Sequence, residues 1–161
     1  MRGQPAAGRD ATPRDDAIRL LARREYSRAE LGERLSARGH EASDIQACLD
    51  DLAEQGLQSD ARFAESFLRS RIARGQGPLK IRAELERRGL DREGIRAAFA
   101  ASEETGEADW FALACDTLSR RFSGPGDTPR ERARRERFLA GRGFDFDQLR
   151  HALAHAWTSD D

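Results

Sequence analysis

Arginine is the residue type with which this chain could do chemistry, and its arginines come in clusters. Between Arg62 and Arg96 ten basic residues stand against five acidic ones, and between Arg120 and Arg142 eight against three, a net of +5 in each segment. Glu41–Asp60 carries six acids and no base, and Glu103–Asp109 adds four more acids. The formal net charge is −1, so blocks of opposite sign alternate along a nearly neutral chain. Lys80 is the only lysine. A guanidinium forks onto phosphate and stacks on flat rings better than an ammonium does. A GC-rich genome would favour arginine codons by itself, but it would not cluster the charges. The candidate contacts to a polyanion are Arg69, Arg71 and Arg74 at the end of one helix, and Lys80, Arg82, Arg87 and Arg88 on the next. Arg120, Arg121, Arg132, Arg134 and Arg135 form a third group. For any single arginine the competing expectation is a solvated face or an i,i+4 partner: Arg82 with Glu86, Arg88 with Glu84, Arg132 with Glu136.

Other constellations are weaker. His151 and His155 are four apart on one helix face, a metal-compatible spacing, but two ligands without a third do not make a site. Gly75-Gln76-Gly77-Pro78 and Ser123-Gly124-Pro125-Gly126 follow no strand and end in no Gly-Lys-Ser/Thr, so helix breaks are expected rather than phosphate loops. The adjacent acids Asp50-Asp51 and Glu103-Glu104 do not face each other on a helix, which argues against an acid–base pair. Trp110 and Trp157 could stack on bases; at helical spacing beside a small core, packing is the expectation. Cys48 and Cys115 sit inside helical patterns and are expected as reduced, buried thiols. No metal, cofactor or catalytic centre is expected.

The elements that must position these arginines announce themselves by repetition. Leu35, Leu85 and Leu139 precede Gly39, Gly89 and Gly143 by four residues; Ile45, Ile95 and Leu149 follow by six; Leu49, Phe99 and Leu153 follow by ten. Arg38, Arg88 and Arg142 stand directly before the three glycines. Repeats of this kind mark stacked copies of one supersecondary unit. Thr12-Pro13-Arg14-Asp15 reads as a capped helix start, with the helix running to about Glu25. Ser27 to Glu30 is a capping box, Ser59 caps the next unit, and Thr128-Pro129-Arg130-Glu131 opens another helix. Gly39, Gly89 and Gly143 supply left-handed helix ends. Period-two alternation and β-branched residues are scarce, so no strand is expected.

The expected fold is all-α: three tandem three-helix repeats in an elongated, curved array. Repeat 1 covers 12–57, repeat 2 covers 58–102 and repeat 3 covers 103–158, between a disordered leader at 1–11 and a disordered tail at 159–161. A unit of this size is marginal alone, so neighbours are expected to lend each other apolar surface. Mean hydropathy is −0.78, no segment reaches the length of a membrane span, and no secretory h-region opens the chain; the expected location is the cytoplasm and the expected state a monomer.

Several phrases resemble a known family. Ser59-Asp60-Ala61-Arg62-Phe63-Ala64, Phe67, Arg69-Ser70-Arg71, Gly75-Gln76-Gly77-Pro78, Ile81, Leu85 and Arg88-Gly89 are similar to the bacterial RecX regulatory proteins. So are Tyr26-Ser27-Arg28-Ala29-Glu30-Leu31 and the stretch from Leu52 to Leu57 that precede them. The resemblance covers about residues 14–157 and is strongest over 17–100; repeat 3 matches by layout more than by wording. It implies a non-catalytic modulator of the RecA recombinase. Such a protein would lie along the groove of the RecA filament on single-stranded DNA and damp its ATPase, strand exchange and co-protease role. Weak, salt-sensitive binding to single-stranded DNA is implied as well. Two other functions fit the same helices: a free-standing helical DNA-binding regulator, since Ser27–Leu49 could pass for a helix-turn-helix, and a generic helical-repeat scaffold for protein partners.

Overall fold

The structure, a computed structural model, describes residues 11–158. The expected leader, Ala11 apart, and the expected tail lie outside the described residues. Nine α-helices and no strand occur among the described residues: α1 (Pro13–Leu21), α2 (Arg28–Ala37), α3 (Ala42–Glu54), α4 (Asp60–Ala73), α5 (Pro78–Arg87), α6 (Arg92–Glu104), α7 (Trp110–Arg121), α8 (Pro129–Arg142) and α9 (Phe146–His155). The helices of each consecutive set of three contact one another. None is long and apolar enough to cross a membrane.

Local chemistry sets the helix starts. The Thr12, Ser27 and Thr128 side chains accept from the backbone N–H three residues on, and the acid at that position reaches back to the cap, closing capping boxes with Asp15, Glu30 and Glu131. Asp145 and Gln148 do the same for α9. Ser59 caps α4, and Pro78 fills the first position of α5, where a missing N–H costs nothing. The helix expected to end near Glu25 stops at Leu21, because Ala22 to Arg24 turn away through bonds to Ile18 and Leu20 carbonyls. Trp157 lies just past α9, and its indole N–H donates to the Phe122 carbonyl at 3.0 Å. Trp110 packs in the core beside Phe99.

The apolar interior is divided unequally. Ala17, Tyr26, Leu31, Leu35, Ile45, Leu49 and Leu52 form one core, confined to repeat 1. A second core runs without interruption from Phe63 to Ala152, through Leu85, Phe99, Leu118 and Leu139. The expectation that every neighbour lends apolar surface therefore holds between repeats 2 and 3 but not between 1 and 2. Repeat 1 also buries a carboxylate: Asp16 accepts from His40 at 2.7 Å and lies 3.5 Å from Arg38, which ties α1 to the α2–α3 turn. Both thiols are free and half-buried, and burial pushes them above the ordinary cysteine value, away from reactive thiolate.

Successive repeats meet by one device used twice. The turn after the second helix of a repeat docks on the start of the second helix of the repeat before it. Between repeats 2 and 3, the Gly77 N–H donates to the Arg142 carbonyl at 2.7 Å and the Leu79 N–H to the Gly143 carbonyl at 2.9 Å. A Cβ on Gly77 would lie 2.5 Å from the Gly143 carbonyl carbon, and one on Gly143 would lie 2.5 Å from the Lys80 Cβ. Between repeats 1 and 2, the Ser27 hydroxyl donates to the Arg88 carbonyl at 2.7 Å, and a Cβ on Gly89 would run into the Ala29 Cβ. At Gly39, the same turn in repeat 1, a Cβ would meet nothing within 4 Å among the described residues. In repeat 3 the acceptor is altered: α8 has 14 residues against 10 for α2 and α5, with Glu131 twelve residues before Gly143, where Ser27 and Gly77 precede Gly39 and Gly89.

Gly77 has φ −92°, which any residue adopts, so Gly77→Ala tests the close approach alone. Because backbone atoms are what a methyl group would meet, the variant is expected to lose roughly 1–3 kcal/mol in urea denaturation. A change within about 0.5 kcal/mol would show that the joint is loose.

Candidate functional site

Two clefts flank the C-terminal end of α4, and Arg74 lines both. The first, between repeats 2 and 3, has a volume of about 270 Å³ and gathers Arg74, Arg120, Arg121 and Arg142 against a single acid, Asp116. Ile72, Leu113 and Phe138 make its apolar wall. The second, against the segment that joins α1 to α2, gathers Arg24, Arg71, Arg74 and Arg88 with Glu25. Arg74 is thus common to two arginine-lined clefts, together called the trough, whose linings draw on all three repeats.

The arginines in this trough are not equivalent. Arg88 Nη1 lies 2.6 Å from Glu30 Oε2, and Arg24 reaches the same oxygen at 3.5 Å. Arg71 pairs with Glu84 at 3.1 Å, is only 16% exposed, and lies over the Phe67 ring. Arg71–Glu84 and Arg88–Glu30 are half-buried pairs whose partners neutralise them, so removing one partner would strand a charge, whereas Arg24 is exposed. Arg120 pairs with Asp116 at 3.2 Å on its own helix, an exposed pair worth little. Arg74, Arg121 and Arg142 have no carboxylate within 4 Å among the described residues. The guanidinium of Arg142 is instead fixed by the Arg74 carbonyl at 3.3 Å and the Phe138 ring at 5.2 Å. Arg121 stands over Phe122 at 4.9 Å and Phe138 at 6.0 Å. Rings hold these cations in place and leave their charge uncompensated.

The other sequence candidates separate. Arg135 belongs to the frame: it donates to the Gly124 and Glu131 carbonyls at 2.7 and 2.9 Å and covers Phe122, which pins the α7–α8 loop. Arg134 stands near the same ring at 5.9 Å and is exposed, as is Arg132. Arg69 pairs with Glu107 at 3.6 Å, outside the trough. Arg82 lies over Phe99 in a separate groove between α5 and α6, with Glu86, Arg92 and Arg96 on its rim. Lys80 and Arg87 are exposed and line neither cleft. None of the expected helix pairs Arg82–Glu86, Arg88–Glu84 and Arg132–Glu136 forms; Arg88–Glu84 is displaced because Glu84 takes Arg71 on another helix and Glu30 takes Arg88 from another repeat. The trough also includes Arg24 and Arg142, which were not among the candidates. Arg142 was legible as the third copy of the Arg-Gly phrase; Arg24 carries no comparable signal. His151 and His155 have ring centroids 4.6 Å apart, and no third ligand-type group joins them among the described residues.

Known proteins resemble this chain along most of its length. Three family profiles match in order: "RecX, first three-helix domain" over residues 14–52, "RecX, second three-helix domain" over 59–98, and "RecX, third three-helix domain" over 107–153. A "Regulatory protein RecX" of Chromohalobacter salexigens is 65% identical over 93% of this chain and 96% of its own length. Another from Halorhodospira halophila is 45% identical over 92% of this chain and 90% of its own. The crystal structure of RecX from Lactobacillus salivarius superposes with a TM-score of 0.72 at 20% identity, covering 89% of this chain and 94% of that one, which establishes the shared fold.

Glu30 gives the joint beside the trough a pH signature. Burial works against its charge, but the Ser27 N–H and the Arg88 guanidinium outweigh that and hold its carboxyl below the ordinary glutamate value of about 4.3. A carboxyl depressed in the folded state contributes stability that is complete above the ordinary value and fades as pH falls through the folded one. Thermal unfolding followed from pH 7 to pH 3 should show a loss below about pH 4.3 that is smaller in Glu30→Gln. Identical pH profiles would remove Glu30 from the account.

Proposed function

The chain belongs to the RecX family, and on that footing we propose that it modulates the RecA recombinase. In this reading it binds the RecA filament on single-stranded DNA and damps ATP hydrolysis, strand exchange and the co-protease role of the DNA-damage response. It does so as a cytoplasmic monomer without a catalytic centre, by occupying charged surface rather than by transforming a substrate.

The observation that carries this reading is the Arg74 junction. A filament on DNA presents phosphate and protein charge along an extended groove, and contact with it calls for cations spread across a long face rather than for one deep site. Arg24, Arg88 and Arg71 on one side of Arg74, and Arg142, Arg120 and Arg121 on the other, supply such a row. Its members divide the work. Arg88, paired with Glu30, ties repeat 2 to repeat 1, Arg71 is held by Glu84 within repeat 2, and Arg74, Arg121 and Arg142 bring the charge that remains for a partner. Binding to isolated single strands would be weak and salt-sensitive, since few phosphates are engaged at once.

With RecA, ATP and single-stranded DNA, an equal amount of the protein should suppress ATP hydrolysis. The combined variant Arg74→Gln, Arg120→Gln, Arg121→Gln keeps every joint-forming arginine, so its helicity by circular dichroism should be unchanged while its potency falls by about tenfold or more. Absence of suppression by the wild-type protein at about tenfold excess would end the RecA reading. Full potency in the triple variant would move the contact elsewhere.

A further inference from the structure

Resting on that reading of the trough, we propose that the cleft between repeats 2 and 3 receives one nucleotide of a single strand, base as well as phosphate. Its two sides differ in kind. Arg74, Arg121 and Arg142 form a cationic side with no carboxylate partner within 4 Å among the described residues, and a guanidinium fork matches phosphate oxygens. Ile72, Leu113 and Phe138 form an apolar side, with the Phe138 ring edge-on to Phe122 at 5.5 Å. A phosphate needs only the first side; a heteroaromatic base is what the second adds, because every base has a face that stacks on flat or apolar groups.

The floor supports the same assignment. Gly75 stands at φ +78°, and a Cβ there would sit 3.4 Å from both Oγ1 and Cγ2 of Thr117. The glycine therefore leaves the Thr117 side chain uncovered, with a hydroxyl able to donate to or accept from a base edge. The volume, about 270 Å³, lies just under the roughly 300–1,000 Å³ of drug-sized ligand sites, room for one nucleotide and not two. Asp116 favours a base over an acidic side chain. Its carboxylate, held by Arg120, would repel a second carboxylate but accept from the N–H groups of a base. The companion cleft differs in the burial of its ring: both rings have two arginines over them, but Phe67 is only 8% exposed whereas Phe138 is partly exposed.

The test compares two fluorescent oligonucleotides of equal length, oligo-dT and an abasic strand with the same phosphates, by anisotropy with the full chain. The wild-type protein should bind oligo-dT about tenfold more tightly than the abasic strand. Phe138→Leu should erase that preference, bringing the two affinities together, while any loosening of Arg121 and Arg142 weakens both strands alike. Thr117→Val, nearly isosteric, should narrow the preference several-fold without disturbing the fold, which keeps the test sound if the ring substitution unfolds the protein. Arg121→Gln should weaken both strands alike. Equal wild-type affinities, a preference that survives in both Phe138→Leu and Thr117→Val, or equally tight binding of a glutamate-rich peptide would each overturn the proposal. Suppression of RecA ATPase is measured alongside. Suppression without base preference overturns the nucleotide site and leaves the RecA reading standing. Base preference without suppression supports the site and overturns the RecA reading.

Discussion

The structure depends on one close approach, repeated. A backbone turn must lie against the start of a helix in the preceding repeat, near enough for the turn carbonyls to accept from an N–H or a hydroxyl there. Any Cβ on Gly89 or Gly143 would collide at that point, and at the second joint the receiving residue, Gly77, has no room for one either. Glycine at 89 and 143 thus serves two demands, the left-handed backbone at φ +90° and +98° and the contact itself. Gly39 meets only the first. The longer α8 and the open turn at Gly39 are where repeats 3 and 1 depart from this pattern.

The two joints share geometry but not energetics. Between repeats 2 and 3 the backbone contact is backed by one apolar core, so these repeats fold as a single body. Between repeats 1 and 2 the backing is polar: Ser27, Glu30 and Arg88 on one side, and on the other Asp60, which accepts from the Arg28 N–H at 2.8 Å and from Gln58 at 3.0 Å. Hydrogen bonds of this kind contribute modestly in net terms and are costly to leave unmade, so they specify an orientation more than they add stability. The trough inherits this division. Its half beside repeat 1 is locked by ion pairs, and its half in the rigid body keeps uncompensated charge.

The sequence revealed the local order well and the long-range electrostatics poorly, for a physical reason. Caps and left-handed turns are decided within four residues, which is why Thr12, Ser27, Ser59 and Thr128, and the helix-end glycines Gly39, Gly89 and Gly143, were readable one by one. Ion pairs are decided by whichever acid the fold brings within reach. Glu30 and Arg88 are 58 residues apart, and only the docked turn makes them neighbours, so helix spacing nominated Glu84 instead. The same blindness scattered the arginine candidates: Arg74, Arg120 and Arg121 converge, while Arg69, Arg82 and Arg135 turn to other work. The alternation of charge blocks told where along the chain arginines gather. It could not say which cations the protein would consume internally.

The most direct test of the central claim, that uncompensated guanidiniums beside Arg74 meet phosphate, is the salt dependence of binding to the RecA filament on single-stranded DNA. Each phosphate neutralised adds roughly 0.7 to the slope of log affinity against log salt concentration. Removing Arg74 and Arg121 together should therefore lower that slope by about 1.4. An unchanged slope, with affinity lost or kept, would contradict the account.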